Sequence, residues 1–180
     1  MPIGIYAFWA ISLRIYLQEE YVKSNQDKQN PMHQAVGFIA QRDHSVLELK
    51  QKLLKKGHCI ESVEPVLLDL QMRGYLDDRR YAQMMVRHHY LRGQGPQKIR
   101  YLLSQKGVSN NIISEVLVEF DEDWFILARD VRQKRFGDNL QSSEQSEIYK
   151  EKSKQMRFLM TRGFELDQIQ YAIEQVDQAE

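Results

Sequence analysis

The chain has 180 residues, and its 25 Lys and Arg residues balance 25 Asp and Glu residues. This balance argues against a protein that coats nucleic acid through its overall charge, so any binding of an anionic partner must be local. The single cysteine, Cys59, excludes an intramolecular disulfide, fits a reducing compartment and is expected to be a small buried side chain. With 42% hydrophobic residues, nine Gly and four Pro, the composition favours regular helices around a core.

Residues 1–30 form an N-terminal segment, in which an apolar run from Ile3 to Leu17 precedes a polar stretch. The run is too short to span a bilayer. It has neither basic residues ahead of it nor a small-residue cleavage site, so it does not resemble a signal peptide. Two interpretations remain open. The run forms an additional core or interfacial helix, or the start codon is placed too far upstream and the ordered protein begins near Pro31.

Helical periodicity begins at Met32 and predicts a first group of three helices. A Ser-x-x-Glu pattern from Ser45 is a capping box that starts the second helix, and Gly57 ends it. Proline is tolerated in the first turn of a helix, so Pro65 places the start of the third helix near Ser62.

The same three-helix pattern is repeated after Gly74. Asp77 or Asp78 caps the first helix of this group, which explains the adjacent carboxylates better than a catalytic pair does. Pro96 stands where a first helical turn accepts proline, and Ser109 caps the third helix.

A third, looser copy follows, in which Asp121 or Asp123 caps a helix that ends at Gly137. One glycine ends the second helix of each copy, and a leucine stands four positions before it: Leu53 before Gly57, Leu103 before Gly107 and Leu159 before Gly163. The three glycines are 50 and 56 residues apart, a spacing typical of stacked modules. We therefore predict an all-α protein, an elongated and curved array of three tandem three-helix repeats at 31–73, 74–120 and 121–180, after the N-terminal segment.

The charge along the second repeat is one-signed, because residues from Arg79 to Ser114 include seven Lys or Arg and no Asp or Glu. Such a segment attracts an anionic partner, although a solvated basic face is the alternative explanation. Among the interleaved tyrosines, Tyr81 is expected in the core, whereas Tyr90 and Tyr101 are the candidates for exposed rings that stack on bases.

Helical spacing places Arg80, Gln83 and Arg87 on one face of the first helix of the second repeat. A groove between its first two helices is expected to present Arg87, Arg92, Lys98 and Arg100 together. The polar side of the next helix adds a second group of cations. The predicted contacts with a partner or with DNA are Arg80, Arg87, Arg92, Lys98, Arg100, Arg129, Arg132, Lys134 and Arg135.

The sequence offers no catalytic, cofactor or metal motif. It has no Gly-x-x-x-x-Gly-Lys-Ser/Thr phosphate loop and no Gly-x-Ser-x-Gly elbow. Its histidines never stand four apart, and one cysteine cannot form a zinc cluster. We therefore expect a protein that is not an enzyme and needs no cofactor.

Three motifs of the second repeat resemble the central repeat of the RecX family: Gly-Tyr-Leu-Asp-Asp (74–78), Arg-Gly-x-Gly-Pro-x-x-Ile-Arg (92–100) and Gln-Lys-Gly-Val (105–108). Arg-Asp-His-Ser-x-x-Glu-Leu (42–49) is similar to the family's first repeat. Asp-Trp-x-x-x-Ala-Arg-Asp (123–130), Lys-x-x-Gln-Met-Arg-Phe-Leu (152–159) and Arg-Gly-Phe (162–164) are similar to its third repeat. The resemblance covers roughly residues 32–176.

The resemblance implies a cytoplasmic bacterial regulator of the recombinase RecA, built of three tandem three-helix repeats. Such proteins bind the RecA filament on DNA along its helical groove, and they limit filament growth, strand exchange and co-protease activity in DNA repair and the SOS response. We expect a monomer that touches RecA and, more weakly, DNA phosphates, without binding a membrane. The alternative hypothesis is a RecA-independent DNA-binding protein of helix-turn-helix-like modules.

Overall fold

The structure is a computed structural model that describes residues 30–137 and 145–174. All regular elements in these two ranges are α-helices, so the predicted all-α class is confirmed. Their bounds are α1 (Pro31–Ile39), α2 (Val46–Lys55), α3 (Ile60–Met72), α4 (Asp78–Leu91), α5 (Pro96–Gln105), α6 (Asn110–Glu119), α7 (Trp124–Phe136), α8 (Gln145–Arg162) and α9 (Leu166–Glu174). The apolar run predicted near the N-terminus lies outside the described residues. Within the described ranges, no helix combines the length and the apolar character needed to cross a bilayer.

The described chain divides into two compact units. The first contains Glu48–Leu76 and the residues before Ser45, and the second contains Ser45–Leu47 and the residues from Asp77 onward. In the first unit α1 packs against α3, and in the second α4 packs against α6 and α7 against α9. Each group of three helices thus joins its first and third members, as tandem three-helix modules require. The repeat boundaries and the curved shape stay predictions.

The three glycines that end the second helix of each module adopt the same conformation. Gly57, Gly107 and Gly163 have φ angles of 93°, 77° and 84°, a region that side chains with a Cβ rarely enter. The residue after each glycine donates its N–H to the carbonyl of the repeated leucine: His58 to Leu53 at 3.3 Å, Val108 to Leu103 at 3.2 Å and Phe164 to Leu159 at 3.2 Å. This pattern closes a helix C-terminus. The predicted helix ends are confirmed.

The helix starts in the second and third modules use the predicted caps. The Asp77 carboxylate accepts from the N–H groups of Arg79 and Arg80, and Pro96 is the first residue of α5. The side chains of Ser109 and Asp123 accept hydrogen bonds from the first turns of α6 and α7. Each cap satisfies an N–H group that the helix itself leaves without a partner.

Asp78 stabilises a different helix from the one it begins. Its carboxylate accepts from the N–H of Val46 at 2.9 Å, at the first residue of α2. Ser45, immediately before, donates its hydroxyl hydrogen to the carbonyl of Lys106 at 2.6 Å. The predicted start of α2 directly after Ser45 is confirmed, and the capping box stays a prediction. Ser45 and Val46 belong to the second unit, with which they form these two bonds.

Two expectations about α3 are wrong, namely that Pro65 lies in its first turn and that Cys59 is buried. The helix begins at Ile60, so Pro65 lies inside it rather than in its first turn. The first turn is already closed before the proline, because the N–H of Val63 donates to the carbonyl of Cys59 at 3.2 Å. The proline therefore removes one hydrogen bond, which the carbonyl of Glu61 would have accepted, and the helix continues. Cys59 is exposed because it is the N-cap, where the chain enters the helix.

The second unit has two separate hydrophobic cores. The core of the middle module contains Tyr81, Ala82, Val86, Ile99, Leu103, Val108, Ile113, Val116 and Leu117. The core of the last module contains Ala128, Leu159, Phe164, Ile169, Ala172 and Ile173. Tyr81 is 1% exposed, which confirms its predicted place in the core. The middle and last modules therefore each bury an apolar face of their own.

Candidate partner and nucleic-acid interface

The one-signed segment from Arg79 to Ser114 is partly neutralised by α6, the third helix of the same repeat. Arg79 on α4 forms ion pairs with Glu115 and Glu119 on α6. These carboxylates lie 36 and 40 positions further along the chain, outside any local window of sequence. Because α6 packs against α4, the surface around α4 has mixed charge rather than the uniform positive charge of its sequence.

A groove of about 600 Å³ is lined by α4 and by the end of α6. Arg80, Gln83 and Arg87 line it together, as their helical spacing predicts. The remaining lining is three carboxylates and three apolar side chains: Glu119, Asp121, Glu122, Met84, Val116 and Phe120. We call these nine residues the mixed-charge groove. Its two cations lie beside three carboxylates, one of which is paired with Arg79, so the groove has no positive surplus and is poorly suited to a phosphate backbone.

An aromatic cluster lies beside the mixed-charge groove. The ring of Tyr90 contacts the rings of Phe120 and Trp124, with centroid distances of 5.1 and 5.3 Å. The expectation that Tyr90 is exposed is therefore wrong, since its ring is half-buried among aromatic neighbours. Burial, followed by the negative charges of Glu122 and Asp123, raises the pKa of Tyr90.

A second groove, of about 620 Å³, is formed by the end of α4 together with α7 and α8. Four basic and four apolar side chains line it: Arg92, Lys134, Arg135 and Arg162, with Leu91, Leu127, Val131 and Phe158. Gly93 and Asp130 complete the lining, and we call the set the cationic groove. The carboxylate of Asp130 is already paired with Arg129 at 2.9 Å. The cationic groove therefore carries a strong positive surplus, which favours anions.

Arg162 lies within the cationic groove but was not among the predicted contacts. Its guanidinium stands over the ring of Phe158, 5.2 Å from the centroid, and donates to the carbonyl of Arg92 at 3.3 Å. The signal in the sequence was the basic residue before each helix-ending glycine, namely Lys56, Lys106 and Arg162. The sequence does not show that Arg162 reaches a neighbour 70 positions away.

Two glycines hold the second and third modules in direct backbone contact. The N–H of Gly95 donates to the carbonyl of Arg162 at 2.9 Å, and the N–H of Gln97 donates to that of Gly163 at 3.0 Å. A Cβ atom on Gly95 would overlap the backbone of Gly163, and one on Gly163 would overlap the backbone of Lys98. The glycines thus permit the close approach that brings Arg162 beside Arg92.

The structure distributes the other predicted cations differently from the expected single groove. Arg87 lies in the mixed-charge groove and Arg92 in the cationic groove. Lys98 places its Nζ atom 5.5 Å from the centroid of the Tyr101 ring, which is 56% exposed as predicted. Arg100 donates to the Ser114 hydroxyl at 3.0 Å. Lys98 and Arg100 line neither groove, and as residues two positions apart on α5 they lie on different sides of that helix.

Arg132 does not belong to the polar side of α7, contrary to the prediction. It is 3% exposed, and its Nε atom donates to Oε1 of Gln155 at 2.9 Å. Arg132 follows the fully buried Ala128 by four positions, so both residues lie on the face of α7 that packs inward. Arg129, Lys134 and Arg135 remain accessible on the outer side.

In the residues that the structure describes, no cluster of His, Cys, Asp and Glu is arranged to hold a metal ion. The basic side chains of the cationic groove can attract anions and donate hydrogen bonds to them. Guanidinium groups supply several N–H donors in a fixed plane, which suits phosphate and carboxylate oxygens.

Fold and grooves together define an all-helical protein of tandem three-helix modules whose surface includes a cationic groove. The family models for the second and third three-helix domains of RecX match residues 77–117 and 121–173. The chain belongs to the RecX family. It is 40% identical to the regulatory protein RecX of Vibrio vulnificus over 139 residues, which cover 77% of this chain and 88% of the relative. It is also 40% identical to that of Halorhodospira halophila over 144 residues, which cover 80% and 86% of the two chains.

Two solved structures share the fold. The crystal structure of RecX from Lactobacillus salivarius has a TM-score of 0.70 and 20% identity, and the match covers 86% of this chain and 99% of that one. A second crystal structure of a regulatory protein RecX has a TM-score of 0.68 and 23% identity, with coverage of 89% and 77%. The predicted tandem three-helix fold is thereby confirmed.

Proposed function

We propose that this protein regulates RecA by binding the RecA filament on DNA and limiting its growth, strand exchange and co-protease activity. The single observation that supports this proposal most strongly is membership of the RecX family of regulatory proteins. Regulation without catalysis, in the cytoplasm and within the SOS response, forms part of the same proposal. Its structural support is a surface suited to binding rather than to chemistry.

The cationic groove is the proposed contact with the DNA phosphates of the filament. Arg92, Lys134 and Arg135 come from the predicted set, and Arg162 is added by the structure. Each phosphate neutralised by such a group releases counterions, which makes the binding salt-dependent. Lys98, Arg100 and Arg129 are proposed as further contacts outside the groove.

The same groove also favours the second candidate function, DNA binding that does not need RecA. The two functions differ in what the protein requires. A plain DNA-binding protein binds naked single or double strands tightly with a steep salt dependence. A RecA regulator acts at a low ratio to RecA and tolerates weak binding to naked DNA.

The test is RecA-dependent ATP hydrolysis on single-stranded DNA, titrated with this protein at sub-stoichiometric ratio. The test variant carries Arg92→Glu, Lys134→Glu and Arg135→Glu. The matched control carries Lys150→Glu, Lys154→Glu and Arg157→Glu, exposed positions on α8 that line neither groove. Both variants change the net charge equally, so a difference between them reports location rather than total charge.

We expect the unmodified protein and the α8 control to suppress hydrolysis. The groove variant should need a concentration at least about tenfold higher for the same suppression. Suppression that is unchanged in the groove variant contradicts the role of the cationic groove. No suppression by the unmodified protein, together with tight binding to naked DNA, contradicts RecA regulation and favours the plain DNA-binding protein.

A further inference from the structure

The charges of the mixed-charge groove come from two different places. Arg80 and Arg87 belong to α4, whereas Asp121 and Glu122 follow the end of α6. All four side chains are exposed. A nucleic-acid backbone carries the same negative charge at every phosphate, so the carboxylates repel it wherever the arginines attract it. A polypeptide whose two sides bear opposite charges meets no such conflict.

The negative side of this groove acts on its neighbours. The pKa of Tyr90 is raised first by burial and then by Glu122, Asp123 and Asp130. Glu119 is paired with Arg79, which fixes its position at the groove. Asp121 and Glu122 therefore place negative charge at this end of α6, opposite the cations of α4.

The floor of the mixed-charge groove suits an apolar side chain better than a stacked base. Met84 and Phe120 are half-buried, and a methionine adapts readily to the shape of a partner. Phe120 packs against the rings of Tyr90 and Trp124 at 5.1 and 5.3 Å. A groove with an apolar floor and charged edges is a common receptor for an amphipathic helix.

We infer that the mixed-charge groove is a protein-docking site, and that it takes an amphipathic helix with an apolar anchor, an acidic edge toward α4 and a basic edge toward the end of α6. The inference rests on the proposed function, since it takes the RecA protein of the filament as the partner. By this inference the second unit binds protein in the mixed-charge groove and phosphate in the cationic groove.

The first experiment measures binding of the full chain to RecA-coated single-stranded DNA and to naked single-stranded DNA. The test variant is Arg80→Ala with Arg87→Ala, and the matched control is Lys134→Ala with Arg135→Ala. Arginines at the centre of a docking site commonly contribute tenfold or more to affinity, so the test variant should bind coated DNA about tenfold more weakly. Its affinity for naked DNA should stay within about twofold, whereas the control should lose naked-DNA binding and part of its salt dependence.

The second experiment reverses the carboxylates, with Asp121→Lys and Glu122→Lys. If the groove takes a protein helix with a basic edge, the reversal weakens binding to coated DNA. If the groove takes phosphate, the two added cations strengthen it. The two explanations therefore predict changes of opposite sign in one assay.

A photo-crosslinking residue, p-benzoylphenylalanine, replaces Gln83 in the third experiment. A cross-link to RecA supports the inference, and a cross-link to DNA overturns it. Weaker naked-DNA binding by the Arg80 and Arg87 variant, or unchanged coated-DNA binding, also overturns it. If the unmodified chain does not bind RecA-coated DNA at all, the proposed function fails and the inference fails with it. If the unmodified chain binds and only the outcomes for the variants differ from those expected, the inference alone fails.

Discussion

Replacing Gly95 with alanine tests whether backbone contact between the second and third modules stabilises the second unit. Gly95 is the N-cap of α5 and has a φ of −80°, which alanine adopts without strain. The substitution therefore leaves the local backbone unstrained. Its effect comes from the added Cβ atom, which overlaps the carbonyl of Gly163 and the N–H of Phe164.

The expected loss of stability comes from the hydrogen bonds that break when the added Cβ atom pushes Gly95 away from Gly163. Moving the two segments apart breaks the hydrogen bonds from Gly95 N to Arg162 O at 2.9 Å and from Gln97 N to Gly163 O at 3.0 Å. Each is worth about 0.5–1.5 kcal/mol, and alanine is a poorer N-cap than glycine by several tenths of a kcal/mol. With the local repacking, we expect Gly95→Ala to lower the free energy of unfolding by about 2–4 kcal/mol.

Urea unfolding followed by circular dichroism gives this free energy, and Trp124, which packs against the core of the middle module, contributes to a fluorescence signal that follows the same transition. The matched control is Gly37→Ala in α1, where an added Cβ would touch nothing within 4 Å. Removing a helical glycine there should stabilise by about 0.5–1 kcal/mol. If Gly95→Ala unfolds within about 0.5 kcal/mol of the unmodified chain, or shifts in the same direction as Gly37→Ala, the argument from close backbone contact is refuted.

Two further predictions concern stability. Asp77→Ala removes the acceptor for the Arg79 N–H at 2.7 Å and should cost about 1 kcal/mol in urea unfolding, whereas Asp77→Asn should recover most of that loss. Burial lowers the pKa of His44 and also that of His89. Because a lowered pKa means that the unfolded chain takes up the proton first, stability should fall as the pH drops below about 6.5, by at most about 1.4 kcal/mol per pH unit for each histidine. Urea midpoints measured at several pH values check this prediction. His44→Gln should make the midpoint depend less on pH. If the dependence is unchanged in both His44→Gln and His89→Gln, the loss of stability at low pH does not come from these histidines.

The helix caps and helix ends were predictable because they depend on residues within a few positions of one another. Asp77 bonds N–H groups two and three residues ahead, and Gly163 closes a helix through Phe164 and Leu159, five positions apart. Pro65 was misjudged because tolerance of a proline depends on whether the first turn is already closed, and the exact start of a helix is weakly encoded.

The functional surface was only partly predictable, because charge and exposure depend on distant neighbours. Arg79 is neutralised by Glu119, and Arg132 is buried against Gln155, 23 positions away. A local window shows that cations are abundant between Arg79 and Ser114, but it does not show which carboxylates the fold brings to them.

The two arginine–glycine motifs connect the fold to the proposed function. Arg92 and Gly93 end one helix, and Arg162 and Gly163 end another. The carbonyl of Gly163 accepts from the N–H of Gln97, so Gly163 lies against α5. This position places Arg162, the residue before it, in the cationic groove. A side chain on Gly163 would therefore damage binding as well as stability, because it moves Arg162 away from Arg92. In the proposed function these glycines therefore position the groove, and the arginines beside them supply its proposed contacts with an anionic partner.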